Sequence, residues 1–278
     1  MRRGQIILRP SSGLCNRLRA IGCAYRLSHE LGIGLRVEWF RCPVRRWAGL
    51  CGMLVGFSDL FEDIPGVPVA EKIKVRNDFP WNFLKWSKHN HNFYCEERRR
   101  EFVREEKADP GRSRWLWTCY PFYSPPDFSW VKPKEEIASR INEFARGFGD
   151  RYIGIHVRRT DNLTAIEASP LSLFEERMDA EIRMDDRARF FLSTDDPDVK
   201  VELRKRYGNR VRFCANVAPR YTRRGEEDAV VDLMLLSRAK KIYGSYWSSF
   251  SEVAAQIGQI PLEVLAVQGK TFPKWEKN

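Results

Sequence analysis

YIGIHVRRTD, residues Tyr152 to Asp161, carries an apolar strand directly into two arginines and an acid. In an open parallel sheet, ligands settle beyond the carboxyl ends of the strands, and that is where Arg158 and Arg159 fall. Two planar guanidiniums in that position can hold a diphosphate through paired, charge-assisted hydrogen bonds and stabilise negative charge as the diphosphate departs. A strand ending in a surface Arg/Asp ion pair has the same local pattern, so the rest of the chain has to decide between the two.

Outward from this strand the apolar spacing alternates regularly. Lys134 to Phe148 has helical spacing before it, and a loop and a helix around Leu171 to Ile182 follow it. Then come strand Arg189 to Ser193, helix Pro197 to Tyr207, strand Arg210 to Phe213, helix Glu226 to Arg238, strand Lys241 to Gly244 and helix Ser248 to Ile257. Repeated βα units of this length predict a parallel, doubly wound sheet. The N-terminal half opens the same way, with strand Gln5 to Arg9, the turn SSGLCN from Ser11 to Asn16, helix Arg17 to Leu31 and strand Leu35 to Trp39. From Arg41 to Pro121 aromatics accumulate (Trp81, Phe83, Trp86, Phe93, Tyr94, Trp115, Trp117) without a clean period, and segment 79–130 receives no role. The proline-rich PFYSPPDFSWVKP, Pro121 to Pro133, suits a hinge. A boundary near Val131 gives two α/β domains, 1–131 on the acceptor side and 132–278 on the nucleotide side.

The chain has 278 residues, of which 43% are hydrophobic, enough for a substantial core. No stretch approaches the roughly 18 apolar residues of a membrane span, and a cytoplasmic protein is expected. A net charge of +11 predicts attraction to polyanions, and contact with an anionic membrane face is compatible with it. EERRREFVREEK, Glu96 to Lys107, alternates sign at i,i+4 spacing and reads as a solvated helix face; without any zinc-finger or RRM signature, nucleic acid is not an expected partner. The seven cysteines are scattered without CxxC or Cys/His pairing, so reduced, structural thiols are expected and no zinc site. With four histidines and no Gly-x-Ser-x-Gly elbow, hydrolytic triads and metal catalysis are poorly supported.

Further positions carry polar groups to strand ends. In SSGLCN, backbone N–H groups over Gly13 suit a phosphate or sugar hydroxyl, and Asn16 offers either an amide for a ligand or the N-cap of the next helix. FFLSTDDP ends with Asp196 before Pro197, an ordinary helix start, which leaves Asp195 open. Asp232 shares a helical face with Leu235, Leu236 and Ala239, where a carboxylate is costly unless satisfied. Guanine, with two parallel donors, would satisfy it, and so would a buried arginine. Ser248 and Ser249 stand where a strand meets a helix, either an anion-accepting terminus or a plain cap.

Taken together, GLCNR (Gly13 to Arg17), HVRRTDN (His156 to Asn162), STDDP (Ser193 to Pro197) and VDLMLLSRAKKIYGSYWSS (Val231 to Ser249) resemble, in this order, the GDP-fucose-dependent fucosyltransferases, most closely the α-1,6 enzymes including the bacterial nodulation enzymes. The resemblance implies a GT-B-like fold of two Rossmann-type, doubly wound domains facing a cleft. It also implies inverting, metal-independent transfer of fucose from GDP-fucose to a glycan hydroxyl, on an acceptor that could be lipid-linked or anionic. By residue, it implies Arg158 on the β-phosphate with Arg159 in support, His156 along the guanine through its backbone, Asp232 on the guanine edge, and Ser248 or Ser249 on phosphate. The chain departs from the α-1,6 pattern at Asn162, where that pattern has lysine, and at Glu167, one residue out of register with the proposed general base. Asp161 is the rival base. The alternatives from the residues alone are a transferase using another nucleotide sugar and a non-catalytic, basic polyanion-binding protein.

Overall fold

The computed structural model describes residues 4–42, 53–73, 96–109, 113–149, 151–160, 163–215 and 221–269. These fall into two compact units. The first holds the described residues up to Lys134 together with 221–227, and the second holds 135–215 and 228–269.

In the first unit, strands β1 (Gln5–Pro10), β2 (Gly34–Arg41), β3 (Val69–Ile73) and β4 (Arg114–Thr118) form an all-parallel sheet in the order β3-β2-β1-β4. Helix α1 (Leu14–Leu31) follows β1 and buries Leu14, Leu18, Ile21 and Leu27. It stops at Gly32, whose φ of 62° lets its amide turn back onto the His29 carbonyl. The charged stretch expected to be a solvated helix is α2 (Glu96–Ala108), in which Phe102 is buried.

The proline-rich segment packs as part of this unit. Phe122, Tyr123, Phe128 and Trp130 are buried, the Tyr123 carbonyl accepts from Cys23 Sγ at 3.0 Å, and the Lys132 carbonyl accepts from the Glu62 amide at 2.8 Å. Phe122 meets Phe102 edge-on and Trp130 packs on Phe57, so the stretch is held in the core of this unit, which a free hinge would not be. Cys42 is disulfide-bonded, which corrects the expectation of uniformly reduced thiols; Cys15, Cys23, Cys119 and Cys214 are free.

The second unit begins with α3 (Glu135–Phe148), acidic in its first turn and apolar on the face that buries Ile137 and Ile141. Its sheet, β5 (Ile153–Val157), β6 (Phe190–Thr194), β7 (Val211–Arg212), β8 (Ile242–Ser245) and β9 (Leu262–Leu265), is parallel throughout in the order β7-β6-β5-β8-β9. β5 is central and buried on both faces, as an unbroken apolar strand should be. The connecting helices are α4 (Leu163–Ala168), α5 (Leu171–Met184), α6 (Pro197–Tyr207), α7 (Arg223–Ser237) and α8 (Ser249–Gly258). Phe174, Met178, Val199 and Leu203 close over Ile153, Ile155, Phe190 and Leu192. A Cβ at Gly244 would stand 2.6 Å from Ser251 Oγ, so glycine there lets α8 lie close on β8. The chain leaves β5 towards β6 on one side and β8 on the other, which makes the carboxyl end of β5 the switch point at which open sheets bind ligands.

Candidate active site

Arg158 and Arg159 leave β5 at that switch point, and Asp195 at the end of β6 organises both. Its Oδ1 accepts from the Arg159 amide at 2.7 Å, its Oδ2 accepts from Thr160 Oγ1 at 2.7 Å, and the same Oδ2 stands 3.6 Å from Arg158 Nε. From the other side, Ser245 Oγ at the end of β8 accepts from the Arg158 amide at 3.0 Å and lies 3.3 Å from the His156 carbonyl, to which it can donate. Asp195, left open by its sequence context, is thus a positioning residue for the arginine loop. Asp196 is the N-cap of α6, its carboxylate accepting from the Asp198 amide at 2.9 Å, as the Asp-Pro pair predicts.

The two arginines have different employment. Arg159 Nη1 donates to the Ile166 carbonyl at 3.2 Å, tethering α4 to the end of β5, and burial lowers its pKa despite Asp196 and Asp195 nearby. Arg158 keeps its guanidinium one-fifth exposed beside Asp195. It is the better placed of the pair to meet an incoming anion.

His156 sits in the middle of the sheet, opposite Ser193 of β6 and Gly244 of β8. Strands pair on both sides of it, and its carbonyl stands beside Ser245 Oγ. The ring stacks on Phe250 (centroids 5.1 Å apart, planes 22°), and its buried Nδ1 makes no hydrogen bond among the described residues. Burial, with the Arg158 charge adding to it, pulls the His156 pKa down to about 4, so the imidazole is neutral at physiological pH.

Asp232 is buried on α7, as its apolar face requires, and accepts from Ser193 Oγ at 3.0 Å. Burial and the Asp232 carboxylate together push the Cys214 thiol pKa up. Ser248 is the buried N-cap of α8, without a side-chain cap bond; it follows Trp247, which adopts a φ of 53°. Ser249 is the first residue of that helix. Arg158, His156, Ser193, Asp195, Asp232, Ser245 and Ser248 therefore lie on β5, β6 and β8, the turns that leave them, and α7. Glu167 is exposed on α4, one residue beyond the carbonyl that anchors Arg159. Asp161 and Asn162 lie outside the described residues.

In the first unit, α1 starts at Leu14 with Gly13 as N-cap, so Asn16 lies inside the first turn rather than capping it. Its Nδ2 donates to Ser12 Oγ at 3.1 Å, and its Oδ1 accepts from Arg19 at 2.9 Å. The strained backbone belongs to Ser12, at a φ of 67°, whereas Gly13 is extended at −75°. Sequence reasoning missed the residue beneath this turn. Arg17 is buried, donating to the Ser12 carbonyl at 2.8 Å and the Phe40 carbonyl at 2.6 Å with its guanidinium over the Trp39 ring. Desolvation lowers its pKa to about 9, opposed by the Glu226 carboxylate.

Among the described residues no group of three or more His, Cys, Asp or Glu could hold a metal ion, and no helix is long and apolar enough to cross a membrane.

No protein-family model matches the sequence. The fold is shared with NodZ α-1,6-fucosyltransferase co-crystallised with GDP, at a TM-score of 0.61 and 21% identity over 91% of this chain and 92% of that one. The fucosyltransferase NodZ from Bradyrhizobium gives 0.58 and 20% over 91% and 93%. POFUT1 in complex with GDP-fucose gives 0.53 and 11% over 95% and 99%. At these identities the likeness establishes the fold: the α/β, GT-B-like class expected from the sequence is the class found.

Proposed function

We propose that this chain is an inverting, metal-independent glycosyltransferase that moves fucose from GDP-fucose to a hydroxyl of a glycan acceptor, with the donor held by the second unit. The observation that carries the reading is Arg158 at the β5 switch point, its amide fixed by Ser245 and its guanidinium set beside Asp195. A guanidinium so placed can bind the β-phosphate and take up the charge that grows on it as the sugar departs. Arg159 holds the loop, and Ser248 and Ser249 offer hydroxyls and the N-terminus of α8 to the same phosphates. The solved complexes of NodZ with GDP and of POFUT1 with GDP-fucose share this fold and support a GDP-sugar as donor. Incubation with a panel of nucleotide sugars tests the assignment, GDP release from GDP-fucose alone being the expected result. GDP binding with little salt dependence would separate this enzyme from a polyanion binder, whose affinity falls steeply with salt.

Asp232 supplies the base selectivity in this reading. A carboxylate accepting both N1–H and N2–H₂ of guanine discriminates against adenine and uracil, which lack that pair of donors. Asp232→Asn places a donor against a donor and should weaken GDP binding at least about tenfold, or about 1.4 kcal/mol, leaving ADP and UDP binding poor. Calorimetry with the three nucleotides checks this; unchanged GDP affinity would make the role of Asp232 structural, through Ser193 and Cys214 among others.

Inversion benefits from a carboxylate that takes the acceptor proton, and Glu167 and Asp161 are the candidates. One of Glu167→Gln and Asp161→Asn should lower kcat at least about tenfold. If neither does, the base lies outside this loop. Activity should persist in excess EDTA, since Arg158 carries the charge that a divalent ion would otherwise supply. Loss of turnover that manganese restores would refute metal independence.

A further inference from the structure

A second concentration of positive charge lies at the amino ends of β6 and β7, the edge of the second unit's sheet opposite the candidate active site. A cavity of ≈ 650 Å³ there is lined by Arg187, Arg189, Arg204, Arg210 and Arg212 and by Gly147 and Phe148 at the end of α3; no described acidic residue lines it. Four of the guanidiniums are oriented by backbone carbonyls. Arg189 donates to Phe148 O at 3.0 Å, Arg204 to Val211 O at 2.6 Å, Arg210 to Asp186 O, and Arg212 to Gly147 O. The Arg212 guanidinium also lies 5.1 Å from the Phe144 ring centroid and 5.4 Å from that of Phe148, which sets its plane. A carbonyl fixes a guanidinium without neutralising it. Among the described residues the carboxylate of Asp186 meets Arg187, at 4.0 Å and in full solvent.

Elsewhere in this unit basic groups meet acids closely: Arg206 lies 2.8 Å from Glu175 and 2.7 Å from Asp179, and Lys241 lies 2.6 Å from Glu181. The cavity rim is different, since it holds four guanidiniums oriented by carbonyls, with Arg187 exposed beside them, and a bound anion would relieve their mutual repulsion. Guanidinium forks match phosphate oxygens, and the cavity is far larger than one phosphate. We propose that it binds a ligand carrying two or more phosphate groups, at a site separate from the switch point. This does not depend on the reaction proposed above.

Inorganic pyrophosphate is the probe, titrated calorimetrically into an Arg158→Gln protein, which weakens the switch-point site, and the cavity's share is read from the cavity substitutions. Pyrophosphate is expected to bind, and adding Arg189→Gln and Arg204→Gln should weaken it at least about tenfold. Arg187→Glu should weaken it in the same direction; that side chain is 92% exposed, so folding is not at issue. Flotation with cardiolipin vesicles, whose headgroup carries two phosphates, against phosphatidylcholine vesicles, identifies the source. Vesicle binding that the same substitutions abolish, without pyrophosphate binding, assigns the phosphates to a lipid headgroup; pyrophosphate binding without vesicle binding assigns them to a soluble ligand. Binding unchanged by the cavity substitutions, or no binding of either probe to the Arg158→Gln protein, overturns the proposal.

Discussion

Arg158→Lys is expected to lower kcat about 10²-fold or more, a loss of roughly 3 kcal/mol of transition-state stabilisation. Lysine keeps the charge but presents it as one mobile point, where arginine presents a planar fork able to grip two phosphate oxygens at once. Arg159 is tethered through Nη1 to the Ile166 carbonyl, so taking the place of Arg158 would cost it that hydrogen bond. The backbone on either side of Arg158 is fixed by Ser245 and Asp195, so the loop should survive the exchange and isolate the side chain's contribution. On the proposed reading the clamp acts on charge that appears only as the bond to the sugar breaks, so kcat should fall more than KM rises. Steady-state kinetics with GDP-fucose measures both. Turnover near that of the parent would remove the phosphate clamp from Arg158.

The alternation of strand and helix from Lys134 onward was readable because each β5-like strand is apolar on both faces and each helix has a distinct apolar stripe. The first half was harder for a specific reason. In β4, Arg114, Leu116 and Thr118 are buried while Trp115 and Trp117 are only partly so, which inverts the polarity that an alternating strand normally displays. α4 and β9, six and four residues long, are too short for a period to show. At the site, residue types and order pointed to Arg158, Asp195 and Asp232, but not to how they divide the work. That the first arginine stands beside Asp195 with its amide on Ser245, and the second anchors α4 through Ile166, depends on residues that reach the loop only through the tertiary fold. Asn16 was ambiguous between ligand amide and N-cap because local sequence allows a helix to begin at several neighbouring residues, and the extended backbone at Gly13 settled where this one starts.

The largest stability effect is expected at Glu226, a residue no local spacing singles out because its partners lie more than 170 positions away. Its buried carboxylate accepts from the Leu54 amide at 2.8 and 3.1 Å and from the Val55 amide at 3.0 Å. The same carboxylate favours the charged form of Arg17, which burial otherwise opposes. Glu226→Ala therefore strands two backbone donors and weakens the compensation of a buried cation, the combination in which removing one partner costs far more than the net contribution of the pair. A loss of about 3–5 kcal/mol in unfolding free energy follows from that comparison. Glu226→Gln keeps one acceptor and the side-chain volume but loses the charge, so it should fall between the two proteins. Urea unfolding monitored through tryptophan fluorescence reads the shift as a lower midpoint at an unchanged slope. The outcome bears on the candidate site as well: Arg17 also holds the Ser12 carbonyl, so a destabilised Arg17 loosens the strained turn that carries Asn16. An alanine variant that unfolds within about 1 kcal/mol of the parent would mean that Leu54 and Val55 find other acceptors and that Arg17 stands without this carboxylate.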